Sequence, residues 1–434
     1  MKAIAQILLA KKYWWLQIAI ASGISVAGLL TLGMWTYEGA PPLAPFVTSD
    51  LETVISAPQI NRGKDVFHLS GLASQGSFWG IGAESGIDFT ADALHRTQAT
   101  MQTYYENRLN DREITQRDRD AIAVRVRKQI HKNGWDEKAR YILITDAQAY
   151  AYKQLVDHYR RMLNMTGPDD AKSLAAYVFW GGWAAGANRP GAAYSYTHNW
   201  PYDPAAGNTL TTATVLWSFL SILALFAGAI AVLHVYRQMK EQQIEFGDRN
   251  AANGSIRGIR GIPVPEFSTH KFFTFTVVLF LIQIVHMWIE VRFIVFTTCI
   301  VAYMLVQMGF LNRAMANRVI FLALMMFLVP MTVGIFSNLY WVAKSSGIIV
   351  LGNVFSALQV LPLLLMTLDA WGMRNKKIRA GERLFEGKQA YVMNGVWLII
   401  LAVNFWNVIG AGVFGSLTDL PIVNYFEHSI YLKE

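Results

Sequence analysis

One cysteine, Cys299, occurs in 434 residues, and it sits in an apolar run. That excludes a disulfide framework. It also excludes covalent c-type haem, cysteine-rich zinc sites and iron–sulfur clusters ligated by this chain alone. Charge is scarce too: 16% of residues are Asp, Glu, Lys or Arg, against 53% apolar. With a positive mean hydropathy, such a chain does not make water-soluble domains only, and it suits a protein with much of its surface in lipid. Neither paired histidines nor a catalytic triad is visible in the sequence. What is abundant is aromatic, 13% of residues including 14 Trp. The net charge of +8 raises the question of nucleic acid, which the placement of the charges answers.

An apolar stretch over 13–37 follows Lys2, Lys11 and Lys12 and carries Trp14, Trp15 and Trp35 near its ends. It is too long for a signal-peptide core and has no small-x-small cleavage site, so it reads as an uncleaved anchor with a cytoplasmic N-terminus. Residues 38–209 are then an outer domain. A second span, 210–236, precedes Arg237, Lys240, Arg249, Arg257, Arg260 and Lys271, so 237–270 reads as a cytoplasmic loop, flexible at Gly254, Gly258 and Gly261. Further spans are expected at 319–341, 348–368 and 391–415. The last two are joined by a loop with six basic residues, Arg374, Lys376, Lys377, Arg379, Arg383 and Lys388. The basic excess therefore marks cytoplasmic loops, and nucleic acid is not expected as a partner.

The run over 272–311 has basic flanks on both sides, which demands an even number of crossings. Two short spans with a tight outer turn at 290–292 satisfy this; one long helix is the alternative. The fold class that results is an α-helical integral membrane protein of about seven transmembrane helices: an anchor (1–37), the outer domain, the second span, the loop, a helix bundle (271–415) and an outer tail (416–434).

Within the outer domain, Pro41, Pro42 and Pro45 make a linker-like start. Charge spacing predicts a helix over 115–132 and a short strand over 140–144. Thr145-Asp-Ala-Gln148 is a capping box that opens a helix to about residue 165, with Ala151, Leu155, His158 and Met162 along one side. Trp, Tyr and Gly over 177–208 predict a turn-rich collar at the membrane surface. His95 and His198 stand alone and read as structural or surface residues.

Ionisable residues inside spans are costly and point to function. His286-Met-Trp-Ile-Glu290 puts a histidine and a carboxylate at i and i+4 on one helical face, where they can offer a nitrogen and an oxygen to a metal. The competing reading is a polar cluster of His286, Glu290 and Arg292 at the membrane boundary. Gly410-Ala-Gly-Val-Phe-Gly415 matches G-x-G-x-x-G, but it ends a span with no strand before it and reads as helix packing. Gln283, Asn338, Asn353, Gln359 and Asn407 are amides expected to tie helices together.

Several segments, taken in order, resemble the quinol-dependent nitric oxide reductases of the haem–copper oxidase superfamily. They are Gly76-Ser-Phe-Trp-Gly-Ile-Gly82, Gly86-Ile-Asp-Phe-Thr-Ala91 with Leu94-His95, Ile144-Thr-Asp-Ala-Gln148, Tyr196-Thr-His-Asn-Trp-Pro-Tyr202, His286 to Glu290, Phe355 to Pro362, and Asn407 to His428. The resemblance implies that the outer domain has a cytochrome c-like fold lacking haem. It also implies a non-haem iron held by His286, Glu290 and a His-His pair. That pair falls on Ser337 and Asn338, and two family glutamates fall on Ile294 and Gln359. An alcohol and amides are poor substitutes at a transition-metal site. The family has further helices between the second span and the His286 segment, carrying a haem ligand and the quinol site, and a later helix whose His-x-His binds both haems.

This chain alone is therefore expected to bind no cofactor. Haem b and the non-haem metal are expected in a haem-bearing membrane subunit of the same superfamily. The expected function is a non-catalytic, reductase-like accessory subunit of a respiratory complex in a bacterial cytoplasmic membrane, with lipid and a periplasmic electron donor as other partners. One alternative is half of a split nitric oxide reductase or dismutase that shares a metal at His286 and Glu290 with its partner. A ligand-binding or sensing protein is another.

Overall fold

The structure is a computed structural model. It describes residues 37–82, 86–109, 114–165, 167–253, 290–312, 357–382 and 388–409, with scattered positions at 23–35, 315–326, 354 and 422. For 242–253, 290–296, 307, 388–390 and 393 only the backbone is described. The chain divides into two compact units, one centred on residues 32–218 and one on 219–335 with 348–420.

In the outer unit the elements run β1 (Phe46–Val47), β2 (Thr53–Ile55), α1 (Ala57–Leu69), β3 (Ser77–Phe78), β4 (Ile81–Gly82), α2 (Phe89–Glu106), α3 (Gln116–His131), β5 (Trp135–Asp136), β6 (Tyr141–Leu143), α4 (Asp146–Met162) and α5 (Pro168–Gly186). A small sheet has the order β2-β1-β6-β5, with β1 and β6 parallel and the other neighbours antiparallel. Local chemistry sets each helix start. The Ser56 hydroxyl accepts from Gln59 N at α1, and the Asp88 carboxylate accepts from Ala91 N at α2. Thr115 with Asp118, and Thr145 with Gln148, form reciprocal capping boxes at α3 and α4. The expected helix over 115–132, the strand at 140–144 and the capped helix at 145 are thus all present; α4 ends at Met162.

The expected collar over 177–208 is a helix through residue 186. In α5 every residue from Ser173 to Gly186 is buried, so it has no polar face to give a period. Packing explains its small residues. A Cβ on Gly181 would come within 2.5 Å of the Phe78 ring, and one on Gly63 of α1 would collide with Ser173 O. The interior is aromatic: Phe46 meets Phe179 and Trp183 edge-on at 5.3 and 5.7 Å, and Phe78 stacks on Tyr177 at 4.3 Å.

In the second unit, α6 (Thr212–Asn253), α7 (Glu290–Gln307), α8 (Val360–Arg379) and α9 (Lys388–Trp406) carry the structure. Thr212–Glu241 is the one helix, among the described residues, long and apolar enough to cross a membrane. Cys299, Ala302, Leu305, Val319, Leu363, Met366, Ala370, Trp397 and Ile400 form the core. Large apolar side chains point outward, with Phe226 65% and Trp406 75% exposed, as a lipid-facing surface requires. A Cβ on Gly228 of α6 would collide with the Leu358 side chain, so a small residue allows that helix crossing.

Three boundaries differ from those expected. The loop over 237–270 is helical as far as Asn253. Residues 290–292 belong to α7 and do not form a turn. Arg374, Lys376, Lys377 and Arg379 lie on the end of α8, where cations complement the helix dipole, and not in a loop.

Candidate functional site

The expected metal pair is described only at its edge. His286, Ser337 and Asn338 lie outside the described residues, as do Gln283 and Asn353. Glu290 opens α7 and Ile294 follows one turn later, both known as backbone only. Gln359 immediately precedes α8 and is fully buried. Among the described residues it does not tie helices together as expected: neither amide atom has a hydrogen-bond partner there, and Asn407 Nδ2 has none either. Other amides do link helices: Asn404 Nδ2 donates to Thr367 Oγ1 at 3.0 Å, and Asn394 Oδ1 accepts from Arg374 Nη2 at 3.3 Å. Among the described residues, no three His, Cys, Asp or Glu side chains converge as a metal site.

At one end of the same unit, the Tyr236 hydroxyl donates to Asp369 Oδ2 at 2.7 Å and the Lys240 ammonium donates to Oδ1. Arg318 Nη1 donates to Met239 O at 3.1 Å, and Arg374 lies over Trp371 and Trp397. Phe310, just past α7, touches Trp397 at 5.6 Å. The C-terminal ends of α7 and α8 therefore share a layer with residues 236–240 of α6. Glu290 lies some 27 Å away along α7, at ~1.5 Å per residue.

The outer domain holds a denser polar network, of which the sequence singled out only His95, His158 and His198, and none as part of a network. Asp92 is buried on α2. Arg96 Nε donates to its two oxygens at 2.9 and 3.0 Å, and the Tyr159 hydroxyl donates to Oδ2 at 2.8 Å. His158 Nε2 stands 3.5 Å from Oδ2. Burial alone would raise the Asp92 pKa; His158, Arg96 and Tyr159 outweigh it and hold the carboxyl below its usual range. Burial, with Asp92 beside it, pushes the Tyr159 phenol well up.

His95 is not alone. Its Nδ1–H donates to Asp203 Oδ2 at 3.3 Å across 108 residues of sequence, and this bond raises its pKa against the opposing effect of burial. His198 stacks on Tyr194 at 4.5 Å, and burial, helped by the Arg189 charge, lowers its pKa to about 4. The spacing of Asp92 and Arg96 was the only local signal for this network; the other partners come from distant segments. These contacts tie residues of α2, α4 and the 203–208 turn together, so the network braces the domain. An open cleft of 640 Å³ beside β2 and α4 includes Glu52, Tyr104, Asp146, Tyr150, Lys153 and Lys172 in its lining.

Residues 44–202 match the family model of the NorB cytochrome c-like domain of nitric oxide reductase. Over 149 residues the chain is 27% identical to the NorB protein of nitric oxide reductase from Stutzerimonas stutzeri. That stretch takes in 34% of this chain and 29% of the relative, so less than a third of that protein is matched. In its outer domain the chain is nitric oxide reductase-like, and the aromatic interior and the Asp92 brace both belong to the matched segment.

Proposed function

We propose that the chain is a nitric oxide reductase-like membrane subunit that serves as a scaffold beside a haem-bearing subunit of the same superfamily. It sits in a bacterial cytoplasmic membrane with residues 38–209 on the outer side. The interior of the outer domain carries this reading. Its centre is occupied by Phe46, Phe179, Trp183 and their neighbours in direct ring contact, and the segment matched to the family has no thiol for haem attachment. A domain built this way offers surfaces to a partner or to a periplasmic electron donor and carries no electrons itself.

The donor set of the bundle supports the same reading. His286 and Glu290 offer one nitrogen and one oxygen, but Ser337, Asn338, Ile294 and Gln359 occupy the other family positions. An alcohol, amides and an alkyl group do not fit a transition metal that asks for imidazole and carboxylate. No step is therefore routed through a metal on this chain, and haem b and the non-haem metal are assigned to the partner.

The Asp369–Lys240 contact supports the seven-span topology. Asp369, one residue past the expected 348–368 span, meets Lys240, just past the cytoplasmic end of the second span; a shared side for these two span ends fits an odd number of crossings between the spans. A hairpin over 272–311 followed by a span at 319–341 gives three crossings, whereas one long helix would give two.

One observation favours the alternative of a shared site. Among the described residues both amide atoms of Gln359 are buried without a partner, and an unmet amide costs about 1–3 kcal/mol unless another group meets it. The test is to purify the chain with its co-purifying subunits and measure nitric oxide turnover in the His286→Ala, Glu290→Ala double variant. Unchanged turnover is expected for a scaffold; its loss, with loss of bound metal, would replace the scaffold by the shared site.

A further inference from the structure

The base of the outer domain is fixed by two places where the chain passes to apolar helix. Gly39 N bonds to Trp35 O at the end of the first apolar segment, and Arg189 Nη2 donates to Gly39 O at 2.6 Å. At the other passage α6 begins at Thr212, a few residues after the 203–208 turn. The C-terminal end of α3 is seated on this second passage. Arg127 Nε donates to Ala205 O at 3.2 Å, and His131 packs so closely on Gly207 that a Cβ there would collide with Nε2. Gly207 has φ +96°, which leaves that position to glycine. His131 O also accepts from Asn188 N, beside Arg189, so the same helix end touches both passages.

This end of α3 is strongly basic. From 121 to 133 there is no acid, while Arg125, Arg127, Lys128 and Lys132 are exposed. Among the described residues Lys128 and Lys132 make no ion pair, and with the exposed Val124 they fall on one face at i, i+4 and i+8. Three exposed acids, Glu38, Asp136 and Glu137, lie on neighbouring segments and leave this face uninterrupted. The helix dipole accounts for cations in a last turn, but not for their extension to Arg125 or for their seat beside the membrane passages.

We propose that the Lys128–Lys132 face of α3 docks on the anionic headgroups of phospholipids in the adjoining leaflet, and so sets the height and tilt of the outer domain. This rests on the membrane placement proposed above. Juxtamembrane lysines gain from a negative leaflet over about one Debye length, and the contact weakens as salt rises.

The test uses the full chain in nanodiscs of phosphatidylcholine alone, or with roughly one third phosphatidylglycerol, the range of an anionic leaflet. Lysine acetylation rates are read by mass spectrometry. Lys153 and Lys172 serve as internal references, because they line the cleft by α4 and the start of α5, the end of that helix remote from Asn188. Lys128 and Lys132 are expected to react roughly fivefold more slowly in the anionic discs, and to recover in about 0.5 M salt, while the references stay constant. Equal rates in both discs would overturn the proposal. So would the same protection from free inorganic phosphate in neutral discs. Extraction of the chain from native membranes by alkali tests the membrane placement separately: a chain that stays embedded but labels equally in both discs refutes only the docking face.

Discussion

In the outer domain the buried carboxylates of Asp88, Asp92 and Asp203 are each met by several donors, whereas the bundle buries amides and hydroxyls and keeps Asp369 partly exposed beside Lys240. Gln359 and Asn407 are left partly or wholly unmet. The difference follows from the solvent on either side. Next to water an ion pair loses little on burial and can be completed by long-range partners. In the membrane placement proposed above, each charge between helices is expensive, and neutral groups remain inside. The outer domain is thus braced by ions around an aromatic core, and the bundle is held by apolar packing.

The largest effect expected from breaking this contrast is Phe46→Ala. It removes a fully buried ring from two edge-on contacts and should cost the outer domain about 3–5 kcal/mol, seen as a lower melting temperature and rapid proteolysis within 44–202. A loss under ~1 kcal/mol would mean that the aromatic interior is not a packed core. Asp92→Leu should cost about 1–3 kcal/mol, because Tyr159 loses its acceptor while buried. Gln359→Leu should go the other way, neutral or stabilising by about 1 kcal/mol in detergent, since it removes two unmet polar atoms. Destabilisation there would reveal a bound group that the amide serves.

The smallest effect is a pH dependence. The His95 pKa is raised by Asp203, with Asp92 adding to the rise and Arg96 and burial opposing it. Its contribution to stability is therefore fully present below the ordinary imidazole pKa and is lost as pH rises through the raised value. Asp92 is depressed, so its contribution holds above the ordinary carboxyl pKa and is lost as pH falls through the lowered value. His198, whose pKa burial lowers to about 4, acts in the opposite sense and costs stability as pH falls below the ordinary imidazole value, so the His95 contribution is read as a difference: His95→Gln should lower the melting temperature at mildly acidic pH more than at mildly alkaline pH.

Local rules made parts of the fold legible. The Thr145 capping box is signalled by residues three apart and charge spacing points to a helix over 115–132, and both helices stand where these signals put them. α5 was not legible as a helix, because a segment buried on every side shows no amphipathic period, and its Trp and Gly content resembles a turn region. The extension of α6 was hidden for a different reason. Arg237 and Lys240 read as a loop after a span, but Glu, Gln and Lys over 238–245 are also good helix formers, and nothing there stops the helix. His95 and Asp203 gave no signal at all, since only the folded chain brings them together. The metal pair rests on i, i+4 spacing and family resemblance, with Glu290 fixed at the start of α7 and His286 outside the described residues.

The most direct test of the account is a reduced-minus-oxidised absorption spectrum of the full chain, purified alone and then together with its co-expressed haem-bearing partner. The account predicts no haem bands from the chain alone and clear b-type bands from the pair. A haem band in the isolated chain that disappears when one of its own histidines is replaced would contradict it.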